Sequence, residues 1–245
     1  MTVSTLSLLE PDRFVESHLG KPVYRLTQPD RAAEALAGLA GPFLVEARIP
    51  TEAVAEARRL TMLGFAVIDV GVQLDAPAAS IRQRPAPAGP WRIRAATAAD
   101  RAAVERSAAD NLVTSRFHLD PSIDPAAASR LKAAWAGNFF DGRRGERLLV
   151  VDCGGRVGGF LQTLERQDVG VIDLVALDPD MRGTGAFAGL IGTWLGEAPS
   201  IARAVVGTQA SNVRSLRAYG ALGFRVCGTS FVLHRHEDGA AGRPA

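Results

Sequence analysis

The chain is 245 residues long, 47% of them apolar, with a net charge of +2 and two cysteines. That composition supports a packed core and lies far from a disordered profile. It carries no basic run of the kind that binds nucleic acid, no stretch approaching a transmembrane span, and in Cys153 and Cys227 too few cysteines for a disulfide framework or a zinc site. The opening residues, MTVSTLSLLEPDRF, lack a basic start and meet Glu10 and Asp12 early, unlike a signal peptide. The expectation is a cytoplasmic protein with no metal, nucleic-acid or membrane partner.

In chain order, residues 1–76 read as a small α/β domain. Val54, Ala57, Leu60 and Leu63 recur at helical spacing, Gly64 ends the helix, and Phe65 to Leu74 reads as a strand. Residues 77–90 hold Pro77, Pro85, Pro87 and Pro90 among alanines, which predicts an extended linker. Residues 91–236 read as a second, larger α/β domain. Its elements are a strand at Trp91–Arg94, a helix at Ala98–Ala109 after Thr97, and a helix at Ala126–Trp135. Strands follow at Arg147–Val151 and Val157–Thr163, joined by the hairpin signal Asp152-Cys153-Gly154-Gly155. Gly170–Leu177 is the central strand, Gly185–Leu195 a helix, and Ala202–Gln209 and Arg225–His234 the last strands. Residues 237–245, EDGAAGRPA in sequence, read as a disordered tail. The first domain holds 7 basic and 10 acidic side chains, and the second 18 basic and 14 acidic. A mildly cationic second domain suits an anionic ligand.

The stretch Val171–Gly189, VIDLVALDPDMRGTGAFAG, carries the most chemistry. A strand delivers the chain to a glycine-rich turn and a helix starts at once. The free N–H groups of a helix start, with its dipole, make an anion site. A Walker A loop would need Lys and Ser or Thr after its second glycine, where Ala186 and Phe187 stand. A dinucleotide fingerprint, Gly183-Thr184-Gly185-Ala186-Phe187-Ala188, is formally present. However, five residues separate it from the strand, and no acidic residue closes the following strand, AVVGTQ. The remaining pattern is Arg-x-x-Gly-x-Gly over Arg182–Phe187, with Phe187 in the last position.

A second signal lies downstream. Asn212 is placed to cap a helix on which Leu216, Tyr219 and Leu222 recur at spacing three, and Gly223-Phe224 ends it. The loop and this segment together resemble the GNAT N-acetyltransferases. The resemblance covers about 145 residues. It implies the GNAT acyl-CoA N-acyltransferase fold, a mixed twisted sheet flanked by helices and splayed where the pantetheine arm enters. It also implies acetyl-CoA as acyl donor and a small amine as second substrate, with a homodimer as a family trait.

By the same resemblance, Val175, Ala176, Leu177, Arg182, Gly183, Thr184, Gly185, Ala186, Phe187 and Asn212 form the cofactor site. Tyr219 is both a cofactor contact and the acid that protonates the departing thiolate. A phenol of pKa ~10 can serve a thiolate of pKa ~8.5 or above. An isolated Tyr219 would otherwise read as a core residue. Phe187 departs from the family pattern, which has Gly or Ala there; its ring must turn outward or crowd the pyrophosphate path. Val171 stands where some members carry a basic glutamate. Asp173, on the same strand face, and His118 are the candidate bases, and a sugar amine needs no dedicated one.

Two further readings concern the ends of the chain. Leu60–Leu74 aligns without gaps on Tyr219–Leu233, so the first domain reads as a degenerate half of the GNAT fold, with Leu60 in place of the tyrosine. Ser115–Asp120, the helix with Trp135, Asn138-Phe139-Phe140 and the early His18–Leu26 stretch resemble two-domain members that acetylate a dTDP-linked amino sugar. Arg116, His118 and Asp120 are then the substrate-binding candidates. The alternatives are acetylation of another amine (an antibiotic, a polyamine or a peptide N-terminus) and a non-catalytic acyl-CoA-binding regulatory module.

Overall fold

The structure is a computed structural model, and it describes residues 8–85 and 87–237. The chain forms two compact units that are not consecutive in sequence. The first contains residues up to 71, 116–128 and those from 229 onward; the second contains 72–115 and 129–228.

The first unit begins with β1 (Leu9–Pro11), α1 (Arg13–Leu19), β2 (Val23–Leu26), α2 (Ala32–Ala37), β3 (Phe43–Pro50) and α3 (Val54–Met62), followed by β4 (Ala66–Pro77). Asp12 caps α1 by accepting from the Val15 N–H at 3.0 Å. β1 and β2 are antiparallel, and β2 and β3 are parallel. Phe43, Val45, Ala47 and Ile49 alternate along β3 and pack with Leu26, Leu60, Phe65 and Leu233 into one core. That period of two is the signature of a strand with one face inward.

The second unit continues with α4 (Ala78–Arg82), β5 (Arg92–Ala95), α5 (Arg101–Asn111), α6 (Arg116–Leu119, which belongs to the first unit) and α7 (Pro125–Gly137). Then come β6 (Arg147–Cys153), β7 (Arg156–Arg166), β8 (Val169–Leu177), α8 (Ala186–Glu197), β9 (Arg203–Gln209), α9 (Val213–Ala221) and β10 (Arg225–Glu237). Its strands lie in the order β9-β8-β7-β6-β5, parallel between β8 and β9 and antiparallel elsewhere. The alternation of β6 sorts the two faces. Leu149 and Val151 pack with α4, α8 and α9, while Leu148 and Val150 pack with α5 and α7. Thr97 and Asp100 form a capping box ahead of α5.

The compact units divide the chain at other places than the sequence reading does. The chain passes between units inside β4 and again inside β10, so the divisions at residues 76 and 91 are not those of the compact units. Backbone pairing sets these boundaries, and it is invisible to local composition: Ser230–Glu237 of β10 pair with Phe43–Pro50 of β3 in the first unit. The segment 77–90 is not extended throughout. Pro77 stands at the N-cap of α4, where its ring is harmless. Arg82 then anchors that helix on the Leu195, Ala198 and Ile201 carbonyls at 2.7–2.8 Å. Glu237 closes β10; the rest of the tail lies outside the described residues.

Candidate active site

β8 carries the site. Gln162 of β7 faces Leu174 and Thr163 faces Ile172, so Asp173 is an extra residue in the backbone register between the two strands. Such a bulge bends the strand. On its other edge, β8 pairs with β9 only from Val169↔Arg203 to Ile172↔Val206, although both strands run further. The two strands part at the bulge and leave the β8 backbone from Asp173 to Leu177 facing an opening. Val175 and Leu177 are half-buried and pack on the core beneath α8, while Ala176 points to the other face.

Asp178 ends the strand and ties the loop to α5. Its carboxylate accepts from Ser107 Oγ at 2.9 Å, Asn111 Nδ2 at 3.2 Å and Arg156 Nη1 at 3.2 Å. Arg182 donates to Asn111 Oδ1 at 2.8 Å, and Thr184 Oγ1 to the Met181 carbonyl at 2.8 Å. Gly183 and Gly185 have φ of +80° and +86°, a region that disfavours side chains, and nothing lies within 4 Å of a Cβ built on Gly183. Gly185 is the N-cap of α8, so the first-turn N–H groups lack an intrahelical carbonyl; that of Ala186 donates to Thr184 Oγ1 at 3.4 Å. Ala186 is fully buried.

Tyr219 lies on the last turn of α9, 2% exposed. Its ring meets Phe187 edge-on, centroids 5.1 Å apart, and Phe224 at 5.2 Å. Burial pushes its phenol well above the ordinary range. Phe187 therefore packs on the tyrosine side of α8 and its ring joins the hydrophobic core. Asn212 caps α9, accepting from the Ser215 N–H at 3.2 Å, and donates to Thr114 Oγ1 at 3.3 Å.

Two of the candidate carboxylates are engaged by other side chains. Asp173 accepts from Arg144 Nε at 2.7 Å, Arg144 Nη2 at 2.6 Å and Gln162 Nε2 at 3.2 Å, with its side chain 9% exposed. The carboxylate braces the bulge, tying β8 to Gln162 of β7 and to Arg144. Asp120 is not an open substrate contact. It is buried in the first unit, accepting from His234 Nδ1 at 2.6 Å, His236 Nε2 at 2.7 Å and the Ser122 N–H at 2.9 Å. Burial alone would raise its pKa, but the two histidine hydrogen bonds outweigh that and hold it below the usual carboxylate range.

Arg116 donates to Glu46 at 2.6 Å and lies over the Phe117 ring at 4.2 Å. Burial opposes the charge of Glu46, and Arg116 with His234 holds its pKa down. His118 is half-buried on α6. Arg116, His118 and Asp120 thus belong to the first unit, while Tyr219, Asp173 and the loop belong to the second.

The ligand atoms of Asp120, His234 and His236 lie within 4.8 Å of one another, close enough to hold a metal. Their hydrogen bonding points elsewhere. Lys21 Nζ is 3.0 Å from His236 Nδ1; an ammonium only donates, so the proton of His236 is on Nε2, bonded to Asp120. Glu46, Arg144, His234 and His236 were missed in sequence. His234 and His236, two apart on a strand, share a face and could have signalled the cluster.

A strand that splits from its neighbour at a bulge, a glycine-cornered helix start and a buried tyrosine on the next helix thus come together in the second unit. Residues 110–224 match the acetyltransferase (GNAT) family model. A 138-residue stretch is 30% identical to the spore coat polysaccharide biosynthesis protein SpsD of Bacillus subtilis (strain 168). The match covers 55% of this chain and 47% of SpsD, so the chain spans about half the length of that relative. Two solved structures share the fold. The GCN5-related N-acetyltransferase of Sphaerobacter thermophilus superposes with a TM-score of 0.59 at 14% identity, over 93% of this chain and 75% of that one. A tandem GNAT protein from the clavulanic acid biosynthesis pathway gives 0.56 at 14%, over 92% and 77%.

Proposed function

We propose that this protein is an acetyl-CoA-dependent N-acetyltransferase acting on the amine of a nucleotide-linked sugar, by direct transfer with Tyr219 as the acid. The observation that carries the reading is Tyr219 itself: a phenol buried in the same core as the helix that starts at Gly185, kept protonated by its surroundings. The residues suit acetyl-CoA. Gly183 is open to solvent-side approach, and the N–H groups from Gly183 to Phe187 sit at a helix start that favours a diphosphate. Bound there, the cofactor would supply an activated thioester.

The chain's own contributions are four. The loop, with Arg182 held by Asn111, binds and orients the anionic end. The opening between β8 and β9 receives the arm that leads to the reacting carbon. A backbone N–H at Ala176 or Leu177 meets the charge that develops on the carbonyl oxygen. Tyr219 gives its proton to the leaving sulfur. With Asp173 engaged by Arg144, the amine loses its proton to solvent, which a partly acidified sugar amine tolerates.

The sugar acceptor rests on three supports. The sequence resembles dTDP-fucosamine acetyltransferase, the relative SpsD is named for polysaccharide biosynthesis, and the second half of the chain is cationic. A homodimer and a cytoplasmic location belong to the same proposal. The test is free-thiol release from acetyl-CoA with a panel of dTDP-amino sugars, polyamines, aminoglycosides and short peptides. Turnover confined to the sugars is expected; turnover with another class instead would replace the acceptor.

A further inference from the structure

Phe187 stands where a small residue would suffice for anion binding, because that task falls to its backbone N–H. Its side chain is therefore free for another role. It is the second residue of α8, and its ring turns onto Tyr219 with the planes at 69° and the centroids 5.1 Å apart. Phe224 takes another edge of Tyr219 at 5.2 Å and 64°. Both contacts are in the edge-on range that aromatic quadrupoles favour. A phenol on the last turn of a helix has more than one rotamer open to it, and only a hydroxyl within hydrogen-bond reach of the leaving sulfur can donate. Two rings set steeply across the tyrosine restrict that choice and keep water from its face.

We infer that Phe187 is a positioning residue: with Phe224 it clamps the Tyr219 ring so that the phenol stays dry and aimed. The inference rests on the reading of Tyr219 as the acid. One residue then serves two partners, its backbone facing the anion and its side chain facing the acid. The start of α8 and the end of α9 are thereby fixed to one another through a contact between side chains. A glycine at 187 would keep the first role and lose the second.

The test uses the full chain in a Tyr24→Phe background, where Tyr219 is the one tyrosine left. Phe187→Leu should let the phenol ionise at lower pH, read as phenolate absorbance, because water reaches the ring. Acetyl-CoA affinity, read by calorimetry, should stay within about twofold, while kcat for thiol release with a dTDP-amino sugar falls about tenfold. Phe187→Trp, which restores an aromatic edge, should recover most of both changes. If Phe187→Leu does not fold, Phe187→Met, which preserves volume, carries the same readouts. A phenol titration unmoved by Phe187→Leu would overturn the inference, as would a tenfold loss of acetyl-CoA affinity with kcat unchanged. The titration needs neither acceptor nor acyl donor. It therefore judges the clamp separately from the acid role, which falls only if Tyr219→Phe retains full turnover.

Discussion

Leu60 and Tyr219 occupy the same place in two copies of one turn. Each accepts a backbone hydrogen bond of 3.1 Å from the phenylalanine five residues on, Phe65 or Phe224, across a glycine at φ +86° or +93°. Each is fully buried. The first unit thus repeats the helix–glycine–strand of the second with an aliphatic side chain where the second has a phenol. The proposed acid role of Tyr219 then belongs to one copy alone, which predicts that Tyr219→Phe lowers kcat by about 10²-fold or more while acetyl-CoA affinity is kept. Steady-state kinetics beside calorimetry checks it. The corresponding Leu60→Met should leave kcat unchanged.

The raised phenol has a consequence for pH. A group that gives a proton must hold one, and burial keeps Tyr219 protonated beyond the ordinary phenol range near pH ~10. With the amine as the only group to deprotonate, kcat/KM should rise with pH and show no downturn before that range. A pH profile of thiol release with a downturn near neutrality would assign the acid to another group.

Gly185 is constrained twice, by φ of +86° and by Pro87, whose Cβ would stand 2.8 Å from a Cβ added there. Gly185→Ala should weaken acetyl-CoA binding and lower stability by about 1 kcal/mol or more. Gly183→Ala carries the backbone strain without the clash and should cost less stability. Phe187→Gly, by contrast, should leave acetyl-CoA affinity unchanged or improved. Calorimetric titration of the three variants ranks them.

Asp120 links stability to pH. Its folded pKa is depressed, so its stabilising contribution is complete above the ordinary carboxylate pKa and is lost as pH falls below it. Asp120→Asn leaves the buried His234 and His236 without their charged acceptor and should destabilise by about 3 kcal/mol at neutral pH. It should also flatten the acid side of the stability curve. Denaturant unfolding between pH ~3 and ~7 measures both.

The loop and the α9 turn were legible in sequence because their signals are local: glycines at positive φ, a cap at Asn212, an apolar repeat ending in Gly223. What escaped notice is non-local. The bulge at Asp173 exists only relative to Gln162 and Thr163 of β7, and nothing in VIDLVAL marks the extra residue. The engagement of Asp173 depends on Arg144, 29 residues away, and that of Asp120 on His234, 114 residues away. The division into units follows strand pairing of β10 with β3, which composition on either side of the prolines does not report. Phe187 looked like an obstruction in one dimension; its ring has turned to Tyr219.

The proposed reaction is transfer of an acetyl group to a sugar amine. Its most direct test is to incubate the protein with acetyl-CoA and a dTDP-amino sugar and to count free thiol and acetamide product together, the latter by NMR. One acetamide is expected for each thiol released, with loss of both in Tyr219→Phe. Thiol release without acetamide, or no release from folded protein that binds acetyl-CoA, would contradict it.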